Sequence, residues 1–115
     1  MNDHSPIDLL IHISTPPTLD LEPLELGMAC AAFDQQVAFV FSNDGLQWLD
    51  QQQHPRRPNG KSAIKLLNAL AMYDCDQLYY LAGQDLPQDM LTTVKAINTE
   101  QLQQLSNNSK HQLSF

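Results

Sequence analysis

The sequence of 115 residues is 43% hydrophobic and 17% charged, which is typical of a folded domain rather than a disordered chain. This length accommodates one core, so we expect a single domain over residues 1–115. The formal net charge of −7 and only six lysines and arginines argue against direct binding of nucleic acid.

Neither the first residues nor the cysteines indicate export or metal binding. No apolar run reaches the length of a membrane-spanning helix, and the first residues lack the basic start of a signal peptide. Cys30 and Cys75 form neither a CxxC nor a metal-ligand pattern. We therefore expect a cytoplasmic protein with reduced thiols, no metal, no cofactor and no membrane contact.

Residues 8–14 form an apolar run that predicts the first strand, and His12 is the one residue that interrupts it. We interpret His12 as hydrogen-bonded to a neighbour or placed where two subunits meet, rather than as catalytic. Two prolines follow the strand, and no glycine-rich phosphate-binding loop does.

Residues 21–33 predict a first helix, with Asp20 as its N-cap and Pro23 in its first turn. One apolar stripe of this helix suits a sheet. A second stripe suits another protein chain and contains Leu26, Cys30 and Phe33. Packing explains Cys30 without a chemical role.

Residues 37–42 are apolar up to the closing serine, which predicts a central strand buried on both faces. The turn Ser42 to Gly45 follows, with Asn43 or Asp44 capping a short helix over residues 46–49. Asp44 and Gly45 are also candidates for a ligand-binding loop, although the Asp44 carboxylate would oppose an anion at this helix start.

Arg56 and Arg57 lie in a polar loop over residues 50–60, which we interpret as a solvated connection ending at a possible cap, Asn59. A helix then starts near Ser62, and residues 78–81 form a short apolar strand. This order predicts the second half of a βαβ unit. Gly83 follows the strand, where open parallel sheets bind ligands, and is therefore a further loop candidate.

The last third of the chain completes the sheet. Residues 92–97 predict a strand, Asn98 and Gln101 form a capping box for a last helix to residue 104 or 105, and residues 112–115 predict an edge strand. Five strands separated by helices predict an α/β fold, a three-layer α/β/α sandwich with a mostly parallel five-stranded sheet.

The chain resembles the DsrE/DsrF-like superfamily, and within it the DsrF/TusC branch of sulfur-relay proteins. The resemblance is carried by the strand of residues 37–41 with Asp44-Gly45, by the leucine-rich helix ending Met72-Tyr73-Asp74, by the strand of residues 77–82 and by the closing Phe115. It covers residues 37–115 well and the first strand and helix in type only.

The resemblance implies a non-catalytic member of a cytoplasmic sulfur-relay complex. Such complexes pass persulfide sulfur between cysteines of paralogous subunits, towards 2-thiouridine at the tRNA wobble position or in dissimilatory sulfur metabolism. The implied partners are DsrE/TusD-like and DsrH/TusB-like subunits in a hetero-oligomer.

The absence of catalysis is implied by one position in particular. The catalytic paralogue carries its acceptor cysteine in the strand that matches residues 78–82. Here Tyr79 stands at that position, with Tyr80 as the only nearby alternative. Cys75 is the nearest thiol, between Asp74 and Asp76, whose carboxylates disfavour a thiolate. We therefore expect Cys75 to be inert.

Two alternatives remain open. The first is a stand-alone sulfurtransferase that uses Cys75 or Cys30. The second is a small-molecule-binding module of flavodoxin-like topology, with its site at the Asp44-Gly45 and Gly83 loops. Transfer of sulfur from a persulfide donor to either cysteine would distinguish the first alternative from a structural role.

Overall fold

The computed structural model describes residues 6–53 and 62–115 of the chain. Within these residues, five strands and three α-helices follow one another in the order β1 (Ile7–Ile13), α1 (Glu22–Ala32), β2 (Val37–Phe41), α2 (Ala63–Leu70), β3 (Gln77–Leu81), β4 (Lys95–Ile97), α3 (Thr99–Asn107) and β5 (Ser109–Ser114). Two 3₁₀ segments, Asn43–Leu49 and Ala71–Tyr73, follow β2 and α2.

All five strands are parallel, in the order β4-β3-β2-β1-β5. The register places Ile11 between Phe39 on β2 and Leu113 on β5. The predicted five-stranded sheet is therefore confirmed. Its direction of growth reverses at β1, so the carboxyl ends of β1 and β5 form the topological switch point of the sheet.

Two apolar clusters cover the two faces of the sheet, which confirms the predicted three layers. Helices α1 and α2 pack on one face around Phe39, Phe41 and Trp48. Helix α3 crosses the other face, where Leu102 and Leu105 pack on Ile7, Leu10, Ala38, Val40 and Ile97. Because both faces are covered, every residue of β2 is 3% exposed or less.

Several predicted helix starts are wrong in detail. Helix α1 begins after Leu21, which makes no side-chain cap, so Asp20 is not its N-cap; Pro23 lies in the first turn, as expected. Helix α2 is capped by Ser62, whose hydroxyl accepts a hydrogen bond from the Lys65 amide at 3.3 Å. Asn59 lies outside the described residues.

The capping box of the last helix is confirmed. The Asn98 side chain accepts from the Gln101 amide at 2.8 Å, and the Gln101 side chain accepts from the Asn98 amide at 2.9 Å. The helix continues to Asn107, further than its apolar pattern indicates. Strand β5 consequently begins at Ser109, directly after the helix, and lies at the sheet edge beside β1.

The segment after β2 is a 3₁₀ helix that starts directly at Asn43, so neither Asn43 nor Asp44 is an N-cap. Tight packing against β1 explains this geometry. A Cβ atom at Gly45 would lie 2.0 Å from the Ile13 carbonyl oxygen, closer than any side chain tolerates. Glycine at this position lets the segment cross the carboxyl end of β1.

This contact predicts a large stability loss for Gly45→Ala. Because the new methyl group meets backbone rather than a mobile side chain, we expect the free energy of unfolding to fall by about 2 kcal/mol or more in urea titrations. Gly83→Ala is the contrast. Gly83 has φ +89° and open space around it, so we expect a loss of only about 1 kcal/mol. Equal losses would contradict this account.

Candidate functional site

A histidine and a serine pair at the carboxyl end of the two central strands. His12 on β1 and Val40 on β2 share the face covered by α3, and Ser42 follows on that same face. His12 Nε2 lies 2.7 Å from Ser42 Oγ. The expected hydrogen-bonding neighbour of His12 is therefore Ser42, a partner that the sequence reasoning missed.

The environment of the His12–Ser42 pair favours packing over nucleophilic attack. Ser42 is 2% exposed, so its hydroxyl is out of reach of a substrate carbonyl. Burial lowers the pKa of His12, which favours the neutral imidazole in the folded protein. The hydrogen bond between the neutral imidazole and the buried Ser42 hydroxyl joins β1 to β2.

The predicted ligand loops do lie together. The Asn43 amide donates to Gln84 Oε1 at 2.8 Å, and Gln84 Nε2 donates to Asn43 Oδ1 at 2.7 Å. These two bonds join the loops that contain Asp44-Gly45 and Gly83 at the carboxyl ends of β2 and β3. Asp44 and Gly83 are exposed, but Gly45 is buried against β1. Close packing against β1 therefore explains why glycine occupies position 45.

A cleft of about 450 Å³ opens at the topological switch point. Its lining combines aromatic and aliphatic side chains with hydroxyls and two carboxylates, from Thr15, Thr18, Leu19, Asp20, Glu22, Pro23, Trp48 and Phe115. The Trp48 indole N–H donates to the Thr15 carbonyl at 2.9 Å and holds the β1–α1 loop against the 3₁₀ segment. Sequence reasoning located this end of the sheet but missed the cleft, because its walls come from three distant segments.

Neither cysteine lines this cleft. Cys75 lies just before β3, at the amino-terminal end of the strands and therefore opposite the cleft. It is 3% exposed, and its Sγ lies 3.5 Å from the Val37 carbonyl oxygen. Burial first, and the Asp76 charge second, raise the pKa of the Cys75 thiol to about 11. The direction agrees with the sequence argument, but desolvation outweighs the neighbouring charge. Cys30 is half-buried on α1 and packs on the main core.

Tyr79 occupies the middle of β3 on the face covered by α3. It lies in one row across the sheet with Val40 and His12, and beside Lys95 on β4. Its ring packs on the smaller apolar cluster. Burial, and to a lesser extent Asp76, raise the pKa of its phenol, so the side chain is neutral. Because a phenol has no sulfur atom, Tyr79 cannot hold a persulfide.

The interface candidates on α1 occupy different environments. Cys30 packs inward on the main core, Leu26 is half-buried, and Phe33 is 81% exposed just after the helix. His12 belongs to the opposite face of the sheet and is not brought near them. The second apolar stripe is therefore split, with its exposed part at the end of the helix.

The remaining expectations concern the arginine loop, metal binding, membrane contact and the state of the thiols. Arg56 and Arg57 fall outside the described residues. Within residues 6–53 and 62–115, no three side chains of the metal-ligating types converge, and no helix has the length and apolar character needed to cross a bilayer. The two thiols are both free.

With this geometry in view, comparison with known proteins identifies the class. The model of the DsrE/DsrF-like family matches residues 9–115, and the chain belongs to that family. A curated protein that it resembles is Protein TusC homolog from Pseudomonas aeruginosa, 38% identical over 61 residues, 53% of this chain and 51% of that protein. The match therefore spans about half the length of this relative.

The fold is also found in a solved structure. The crystal structure of the YchN protein from E. coli superimposes with a TM-score of 0.74 at 15% identity, covering 94% of this chain and 98% of that one. At this identity the likeness establishes the shared α/β architecture and nothing about activity.

The half-buried imidazole of His12 predicts a pH-dependent stability. Because the folded protein binds the His12 proton less readily than the unfolded chain, stability is full above the ordinary pKa of 6.5 and is lost as the pH falls through the folded value. His12→Gln should reduce the loss between about pH 7.5 and pH 5.5 in urea titrations. An unchanged loss in the His12→Gln variant would refute this assignment.

The two thiols should differ in reactivity. With iodoacetamide at about pH 8, we expect Cys30 to be alkylated at least about tenfold faster than Cys75, because Cys75 is buried and almost wholly protonated. Peptide mass spectrometry over time measures both sites in one sample. In denaturant the rates should converge. Faster labelling of Cys75 in the folded protein would contradict the assigned environment.

Proposed function

We propose that this protein is a non-catalytic structural subunit of a sulfur-relay complex. The observation that carries the proposal is that, in the described part of the chain, no usable thiol lies where the fold would perform chemistry. The middle of β3 presents Tyr79, and the cleft at the switch point is lined by neither cysteine. A member of a sulfur-handling family without such a thiol has assembly as its remaining role.

The chemistry of the two cysteines supports this role. Persulfide transfer needs a thiolate that a donor sulfur can reach. With a pKa of about 11, Cys75 is a thiolate in roughly one molecule in several thousand near pH 7.5, and it is buried between β2 and β3. Cys30 is turned to the core rather than to a cleft.

Family membership and the TusC homolog support the sulfur-relay context. We propose that the chain works in the cytoplasm in a hetero-oligomer with DsrE/TusD-like and DsrH/TusB-like subunits. Synthesis of 2-thiouridine at the tRNA wobble position is the proposed pathway. A net charge of −7 argues against tRNA as a direct ligand, so the complex would meet tRNA through another component.

A second candidate function is small-molecule binding, which the cleft at the switch point favours. Its volume suits a small ligand, and Trp48 and Phe115 offer apolar walls. The carboxylates of Asp20 and Glu22 would select a neutral or cationic molecule over a phosphate. Thermal-shift screening of such compounds distinguishes this function, since a structural protein without a ligand would show no shift.

The isolated chain should not accept sulfur. After incubation with a persulfide donor, intact-mass spectrometry should show no stable addition of about 32 Da per chain, because Cys75 is buried with a raised pKa and Cys30 packs on the main core. The Cys30→Ala and Cys75→Ala variants serve as matched controls for site assignment. An adduct on Cys75 that passes on to an acceptor would establish the stand-alone sulfurtransferase instead.

A further inference from the structure

Three large apolar side chains are exposed together beside the amino-terminal ends of strands β2 and β3. Phe33 is 81% exposed, Met72 is 84% exposed and Tyr73 is 45% exposed. Together with the aspartates Asp34, Asp74 and Asp76 beside them, they form what we term the amino-edge surface. Apolar exposure of this extent at one place in a small domain marks a contact surface.

The topology brings these residues side by side. Residues 33–36 precede β2, residues 71–76 precede β3, and these two strands are paired neighbours. The 3₁₀ segment Ala71–Tyr73 packs on α1, whose end is followed directly by Phe33. The contact between Cys75 Sγ and the Val37 carbonyl oxygen joins the two turns at their base. The surface therefore lies at the amino-terminal ends of the paired strands β2 and β3.

The charged residues of this surface are all acidic. Residues 33–36 and 71–76 contain three exposed aspartates and no lysine or arginine. Helices α1 and α2 both end at this edge without a basic residue in their last turns. The negative ends of their dipoles add to the charge of the aspartates. An apolar centre with a negative rim is complementary to an apolar patch rimmed by lysine and arginine.

We propose that the amino-edge surface docks a second protein whose matching patch is apolar and rimmed by basic side chains. The inference rests on the proposed function in that we take this partner to be another member of the relay assembly. A second copy of this chain is a poor occupant, because a twofold contact would bring the same aspartates against one another. The acidic rim thus selects a different chain over self-association.

The test uses the full chain co-expressed with the DsrE-like and DsrH-like subunits of the same organism, and measures the affinity of the purified components. Phe33→Asp and Met72→Asp should each weaken assembly at least about tenfold, since each places a charge in the apolar centre. Leu86→Asp is the matched control. Leu86 is 44% exposed in the loop after β3, away from this surface, and its replacement should change the affinity by less than about threefold.

The charged rim has its own readout. Asp34→Asn, Asp74→Asn and Asp76→Asn combined should weaken assembly and remove most of its sensitivity to salt between about 0.1 M and 0.5 M. Asparagine keeps the left-handed backbone at positions 34 and 74, where φ is +63° and +61°. Thermal unfolding midpoints identify any variant whose folding, rather than its docking, has changed.

The outcomes separate the two proposals. If the complex forms and Phe33→Asp and Met72→Asp leave it intact, the docking surface is wrong while the proposed structural function stands. If the wild-type chain binds neither of the other two proteins, both proposals are wrong. If the isolated chain self-associates and these variants abolish that, the occupant is a second copy and the basic partner is overturned.

Discussion

The structure depends on the burial of β2 on both faces. Val37–Phe41 are all 3% exposed or less, with Phe39 and Phe41 packed towards α1 and α2 and Val40 towards α3. A strand without a polar side has to lie at the centre of a parallel sheet that is covered by helices on both faces. Helices α1 and α2 therefore cover one face of the sheet, and α3 covers the other. At one end Gly45 and the His12–Ser42 pair fit the loops closely onto β1.

The same burial accounts for the chemistry of the thiols. Cys75 lies at the base of β3 against Val37, in the part of the core where the two strands begin. Desolvation there keeps it protonated, and the aspartate that follows acts in the same direction. The opposite end of the sheet, where parallel folds open their clefts, holds aromatic rings, hydroxyls and carboxylates. This arrangement is the basis for our proposal that the chain contributes surfaces to a sulfur-relay complex rather than a nucleophile.

The sequence predicted what periodicity and capping chemistry determine. The apolar run of β2 and the Asn98–Gln101 box were readable, because each depends on neighbouring residues. The edge position of β5 was also predicted, but over residues 112–115 rather than Ser109–Ser114. The role of Ser42 and the need for glycine at position 45 were not, since both depend on contacts with β1, which is distant in the chain. The exposure of Met72 was also hidden. Its helical pattern continues past Leu70, but the backbone tightens into a 3₁₀ turn that directs the side chain outwards.

We propose that this chain supports sulfur transfer without carrying sulfur. The most direct measurement compares transfer from donor to final acceptor in the assembly reconstituted with the wild-type chain, with a Cys30→Ala, Cys75→Ala double variant, and without the chain. We predict equal transfer rates for the first two and a loss of transfer when the chain is omitted. Loss of transfer with a folded, fully assembled double variant would contradict the claim, because it would place one of these cysteines in the relay.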